Sequence, residues 1–274
     1  MSRVAVVTGA TEGIGKQTAI ELAKHGFLVV VHGRSEARAK DAAKEIGDAA
    51  GTTALDTAVA DFASLAEARA MGQAIARAHG AIDVLVNNAG VFAKTRVVTG
   101  DGLELTLAVN HFAHFVLTHE LLGALGESEQ GRVVHVASGV HSGGAIDLDD
   151  LAMTSDWSGY GAYASSKLMN VLFSNELGGR LQNTRITSNA LHPGVIATKL
   201  LRTGFGGGGA KVESGARTSV KVATDPALAK VTGAYFSDER QVQPAARARD
   251  PKLAKALYEK SCAVTGATPL PEPA

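Results

Sequence analysis

The hydrophobic positions of the chain fall into two alternating kinds of segment. Short, β-branched runs occur at Val4–Val7, Leu28–Val31, Val84–Val86, Val133–Val136 and Ile186–Leu191. They lack the alternate polar positions of a half-exposed strand, so they read as strands buried on both faces of a parallel sheet. Between them, Ala19–Gly26, Ala37–Gly47, Ser64–His79, Leu103–Leu125 and Tyr163–Leu181 repeat apolar residues at the helical period, and several end at a glycine of the kind that closes helices. Strands alternating with helices imply right-handed crossovers and a doubly wound sheet. Its ligand crevice would lie at the carboxyl ends of the strands.

The expected fold class is therefore α/β: a single-domain, Rossmann-type, doubly wound parallel sheet flanked by helices on both faces. No repeat or linker interrupts the first two hundred residues, so residues 1–267 are taken as one domain. Two segments stand apart. Thr203–Gly209 is too glycine-rich for regular structure and lies within a candidate substrate loop at about 195–220, and the proline-containing tail 268–274 reads as disordered.

Composition narrows the partners. Of 274 residues, 45% are hydrophobic and 20% charged, with 27 basic and 27 acidic side chains. A net charge of zero, without like-charge blocks, argues against nucleic acid or an anionic membrane as partner. No apolar run is long enough to span a bilayer. The single cysteine, Cys262, cannot form an internal disulfide, and Met1-Ser2-Arg3 leads directly into a strand-like run. The expectation is a cytoplasmic protein that inserts in no membrane and takes a small-molecule substrate.

Candidate chemistry collects at the ends of the strands. Thr8-Gly9-Ala10-Thr11-Glu12-Gly13-Ile14-Gly15 is a glycine-rich turn that opens a helix, where backbone N–H groups and the helix dipole favour a pyrophosphate. The plain alternative is a tight strand-to-helix turn. After the second strand, His32-Gly33-Arg34-Ser35 carries no carboxylate for a ribose diol. Arg34 and Ser35 could bind a 2′-phosphate instead, favouring NADP(H) over NAD(H), although Glu12 sits in the loop and Arg34 could simply be solvated. Asn87-Asn88-Ala89-Gly90 ends the next strand, as a ligand wall or as a turn. In Tyr163-Ala164-Ser165-Ser166-Lys167 a phenol and an ammonium lie one helical turn apart. The cation would favour the phenolate and bring the hydroxyl toward neutral pH; an ordinary packed tyrosine is the alternative.

In order and spacing, these motifs resemble those of the short-chain dehydrogenase/reductase family, over nearly the whole chain. Asn110 in Val109-Asn110-His111-Phe112, Ser138 after the strand 132–137, and Pro193-Gly194-Val195-Ile196-Ala197-Thr198 add to the match. The resemblance implies catalysis by Asn110, Ser138, Tyr163 and Lys167: Tyr163 exchanges the proton, Ser138 bonds the substrate oxygen, Lys167 holds the nicotinamide ribose and Asn110 supports a water-linked proton path. It also implies cofactor contacts from Gly9, Thr11, Gly13, Ile14, Gly15, Arg34, Ser35, Asp61, Asn87, Ala89, Gly90, Tyr163, Lys167, Pro193, Gly194, Ile196 and Thr198. Ser138 and Tyr163 are 25 residues apart, longer than is common in the family. That length resembles the branch of retinol dehydrogenases and WW-domain oxidoreductases, which implies a lipophilic carbonyl or alcohol.

Reduction of an activated C=C bond and a non-catalytic, cofactor-sensing role remain alternative functions. Tyr160 and Ser142 rank below Tyr163 and Ser138. No metal is expected, since His111, His114 and His119 lack a clustered third ligand. Family pairing through the helices at Leu103–Leu125 and Tyr163–Leu181 leaves homodimer, homotetramer and monomer open, and the glycine run would serve as a substrate lid or as a passive insertion.

Overall fold

The computed structural model of the protein describes residues 3–273. One eight-stranded sheet is built from β1 (Val4–Val7), β2 (Leu28–Gly33), β3 (Leu55–Val59), β4 (Val84–Asn87), β5 (Gly131–Val136), β6 (Ile186–His192), β7 (Tyr235–Ser237) and β8 (Arg240–Val242). The spatial order is β3-β2-β1-β4-β5-β6-β7-β8. Neighbours pair in parallel, except for the antiparallel pair of β7 and β8. From β1 the chain moves outward to β2 and β3, then returns to β4 on the other side. The order thus reverses between β1 and β4, where open α/β sheets leave a crevice.

Helices α1 (Gly13–Lys24), α2 (Glu36–Ala50), α3 (Leu65–His79), α4 (Leu105–Leu107), α5 (Ala113–Gly126), α6 (Gly159–Arg180), α7 (Lys199–Phe205), α8 (Val212–Thr224) and α9 (Pro251–Thr265) complete the chain. Alternate residues of each strand feed opposite layers. Val4, Val6, Leu85 and Val133 pack with α3, α5, α6 and α9, whereas Ala5, Val7, Val86 and Val134 pack with α1, α2 and α8. Burial on both faces explains the unbroken apolar runs in the strand sequences.

Three expectations need correction. The single helix expected over Leu103–Leu125 is interrupted: α4 leads into a π-turn at Ala108–Phe112 before α5 begins. Here the His114 side chain donates to the Asn110 carbonyl at 3.0 Å, a local competitor for helical hydrogen bonding. In the glycine segment, Thr203-Gly204-Phe205 continues α7, and irregular chain starts only at Gly206 in the left-handed conformation. The tail expected to be disordered is held through residue 273. Leu270 bonds Tyr258 Oη at 3.0 Å and accepts from Arg180 at 2.6 Å, and Glu272 pairs with Lys255 at 2.7 Å. Ala274, the last residue of that segment, lies outside the described residues.

Helix α9 packs along α6, and its Tyr258 ring reaches α5. The Tyr258 ring meets Phe115 at 5.4 Å and Phe173 at 6.4 Å, and Cys262 is a buried free thiol on the same helix. Among the described residues, no helix is long and apolar enough to cross a membrane.

Candidate active site

A cleft of about 1010 Å³ opens where the strand order reverses, floored by the ends of β1, β2, β4, β5 and β6. Its glycine turn is shaped by close backbone approach. Gly9 has φ of 63°, and a Cβ there would lie 2.8 Å from Ala89 Cα; one on Gly15 would lie 2.4 Å from the Gly9 carbonyl oxygen. A side chain at either position would break the turn. The loop is also held from beneath. Gly9 N–H donates to His32 Nδ1 at 3.1 Å, so the neutral ring carries its proton on Nε2, which donates to the Ala60 carbonyl at 3.1 Å. Burial lowers His32 to about 4, and its ring stacks on Phe62 at 4.4 Å.

Thr8 joins the turn to the next wall. Its hydroxyl oxygen accepts from the N–H groups of Asn88 at 2.8 Å and Ala89 at 2.9 Å, while Asn88 Nδ2 donates to the Thr8 carbonyl at 2.8 Å. Ala89 and Gly90 then lie along the cleft with Gly9, Thr11, Gly13, Ile14 and Gly15. At the far end are Arg34, Arg38 and Asp61, with Arg38 3.6 Å from Glu12.

Two expected cofactor contacts are placed elsewhere. Asn87 is the last residue of β4, and its side chain turns into the core to donate to Thr118 at 2.9 Å, so Asn88 presents the amide at the cleft. Ser35 occupies the N-cap of α2 and does not line the cleft; Arg38, one turn along that helix, does. Arg34 precedes the N-cap of α2, and the two arginines line the same end of the cleft from either side of Ser35.

The reacting end is assembled from two elements. Tyr163 and Lys167 on α6 and Ser138 after β5 all line the cleft. Tyr163 is 7% exposed, and burial pushes its phenol above the ordinary tyrosine range, while hydrogen bonding with Ser138 acts in the opposite direction. Burial thus outweighs the downward tuning expected of Lys167. The lysine is itself buried, its pKa pushed down to about 8, and its Nζ donates to the Val136 carbonyl at 2.9 Å. Removal from water dominates both groups.

Ser138 caps the short helical turn Gly139–Gly143, which is clamped by two histidines. His141 Nε2 accepts from Ala245 N–H at 3.1 Å, so its Nδ1–H donates to the Ser138 carbonyl at 2.7 Å. His192 Nδ1 accepts from Gly139 N–H at 3.1 Å. Ser142 bonds back to Gly139 within the turn, and Tyr160 is 49% exposed. Neither lines the cleft.

Asn110 stands behind the wall and is fully buried. Its Oδ1 accepts from Val91 N–H at 2.8 Å, and its Nδ2 donates to the Val91 carbonyl at 3.1 Å and to Ser166 at 3.0 Å. The side chain thereby ties the Asn88–Val91 wall to α6. His111 is directed at Ser261 and His114 at Thr8. Among the described residues, no group of three or more His, Cys, Asp or Glu side chains is placed to hold a metal ion.

Across the cleft, Pro193, Gly194, Ile196 and Thr198 form the opposite wall, and Thr198 caps α7. The mouth is apolar. Val91, Leu105, Val109, Val140, Val195, Leu200, Leu201 and Phe205 line it. Phe205 lies edge-on to Tyr163 at 5.8 Å, and Phe92 stands 5.8 Å from Tyr163 and 5.5 Å from Phe205. A Cβ on Gly204 would meet the Phe92 ring at 2.6 Å, so glycine lets these aromatic groups close over the tyrosine.

Comparison with known proteins agrees with this geometry. The family model of the short chain dehydrogenase matches residues 3–205. Retinol dehydrogenase 13 of Homo sapiens is 37% identical over 280 residues, covering 96% of this chain and 85% of the relative. Polyprenol dehydrogenase of Mus musculus is 40% identical over 283 residues, covering 97% and 84%. A crystal structure of an uncharacterised protein from Mycobacterium Paratuberculosis superposes with a TM-score of 0.83 at 31% identity, covering 98% of this chain and 95% of that one.

Proposed function

The chain belongs to the short-chain dehydrogenase family, and on that premise we propose that it is an NADP(H)-dependent oxidoreductase of apolar carbonyls and alcohols, with Tyr163 exchanging the proton. Membership makes it a hydride-transfer oxidoreductase that uses a nicotinamide cofactor. The observation that carries the finer reading is a single cleft holding the glycine turn, two arginines at one end, and Ser138, Tyr163 and Lys167 at the other.

The residues fit a dinucleotide. Gly9 and Gly15 let the turn pack tightly against Ala89 and on itself, which sets its backbone N–H groups at the N-terminus of α1 where a pyrophosphate is favoured. Arg34 and Arg38 would hold a 2′-phosphate, Asp61 the adenine end, Ala89 and Gly90 the middle, and Lys167 the nicotinamide ribose. The Pro193–Thr198 wall would face the ring. When bound, the cofactor supplies or accepts the hydride at the substrate carbon.

The protein's own groups manage the oxygen. Ser138 donates to it and Tyr163 passes it the proton, so negative charge does not accumulate as the carbon changes state. Lys167 supports the phenolate that remains. Burial beneath Phe92 and Phe205 keeps water away from the transfer.

The apolar mouth supports a lipophilic substrate, in keeping with relatives named for retinol and polyprenol. The lid would be α7 with Gly206–Gly209: Phe205 would settle on substrate while the glycines flex. The packing of α9 along α6 supports a monomer. NADPH consumption with aliphatic, aromatic and polycyclic carbonyls, beside Tyr163→Phe, tests the reading.

A further inference from the structure

We propose that His114 is a positioning residue whose two ring nitrogens register the cofactor turn against the catalytic helix. The inference rests on the functional reading above for its kinetic consequences. The geometry stands independently of it.

His114 is on α5, 1% exposed, and stands behind the cleft wall without lining it. Its Nδ1 is 3.0 Å from the Asn110 carbonyl, which can only accept, so Nδ1 carries the proton. Its Nε2 lies 2.9 Å from Thr8 Oγ1 and, in the neutral ring, must accept. Burial and the nearby Lys167, His135 and His32 oppose a second ring proton, which keeps that assignment single. The ring also meets Phe62 in a T-shaped arrangement at 5.3 Å, and Phe62 stacks on His32 beneath Gly9.

Each nitrogen leads to a different half of the site. The Thr8 hydroxyl directs its hydrogen to His114, which leaves its lone pairs to Asn88 N–H and Ala89 N–H on the cofactor wall. Its alternative acceptor, the Val86 carbonyl, is farther away at 3.2 Å. On the other side, the Asn110 carbonyl is fixed within the π-turn, and the Asn110 side chain reaches Ser166, which donates to the Tyr163 carbonyl at 2.7 Å. One ring therefore joins the turn after β1 to the turn of α6 that carries the phenol.

Two near-isosteric substitutions separate the halves. The His114→Asn amide nitrogen takes the place of Nδ1–H and keeps the Asn110 contact while giving up Thr8. The His114→Gln amide oxygen takes the place of Nε2 and keeps Thr8 while giving up Asn110. His114→Asn should raise the Kd for NADPH about five- to tenfold, with kcat within about twofold of wild type; His114→Gln should do the reverse, as expected for one lost buried hydrogen bond in each case.

The same proteins are followed by amide hydrogen exchange without ligand. His114→Asn should deprotect residues 8–15 and 88–90, and His114→Gln should deprotect 108–112 and 163–167. The proposal is overturned if both variants change Kd and kcat together in step with melting temperature, if neither changes them, or if exchange rises in the same segments for both. A wild-type protein without turnover would defeat the functional reading, and the exchange pattern would still decide the role of His114.

Discussion

Lys167 Nζ lies 5.5 Å from the centre of the Tyr163 ring, and both groups are almost completely buried. Lysine is the cation that can favour the phenolate, yet burial brings its own pKa down to about 8. It is protonated below that value and loses its charge as pH rises through it. We therefore predict that kcat/KM for carbonyl reduction falls above about pH 8, with a single alkaline limb. A profile flat to pH 10 would show that charge on Lys167 is not needed.

Arg34 and Arg38 lie at the end of the cleft opposite the phenol, where no carboxylate of β2 is available for a ribose diol. Replacing Arg34 by Glu should lower the preference of kcat/KM for NADPH over NADH by about 10²-fold, since an attractive contact becomes a repulsive one. Arg38→Gln should act in the same direction but less, because Glu12 already engages that guanidinium. An unchanged preference would place cofactor selection elsewhere.

Four deeply buried histidines predict acid sensitivity. Burial lowers His32 to about 4, His111 and His135 to about 3, and His114 well below its ordinary value of 6.5. Between those values and about 6.5 the unfolded chain binds protons that the folded chain refuses. Stability is thus full above about pH 6.5 and falls as pH drops toward 4, by up to about 1.4 kcal/mol per pH unit for each histidine. Urea midpoints measured from pH 7.5 to 4.5 should decline steadily. A constant midpoint down to pH 5 would contradict this assignment.

Helix α9 packs along α6 through Tyr258 and Phe173, and Tyr258 also reaches Phe115 of α5. Sedimentation equilibrium at micromolar concentration should return the mass of one chain. Tyr258→Ala should lower the melting temperature, since a large buried ring is removed. A stable dimer in the wild-type protein would mean that association uses another surface.

Much of this architecture is legible in the sequence because it follows from repetition. Runs such as Leu28–Val31 and Val84–Val86 are apolar on both faces, and the glycine turn and the Asn88–Gly90 wall must then fall at strand ends. Less legible are elements without a clear pattern. β3 lies at a sheet edge with only Ala58 buried, β7 and β8 have three residues each, and α8 packs through Gly215, Ala216 and Ser219. Helix α9 does announce itself, with Asp250-Pro251 at its start and Ala254, Leu257, Tyr258 and Cys262 on one face.

Neighbouring residues can also exchange roles. Asn87 and Asn88 are identical in type, and only strand alternation sends one amide to Thr118 and the other to the glycine turn. The direction of the Tyr163 shift depends on how much water the fold removes, which the i, i+4 spacing with lysine cannot convey.

The central claim is hydride transfer coupled to a proton held by Tyr163. Its most direct test follows NADPH oxidation with a panel of apolar carbonyls for the wild type and for Tyr163→Phe, alongside NADPH binding. The account predicts turnover by the wild type and a fall in kcat of about 10²–10⁴-fold in the variant, with binding of NADPH retained. Equal turnover by the two proteins, or none by the wild type while it binds NADPH normally, would contradict it.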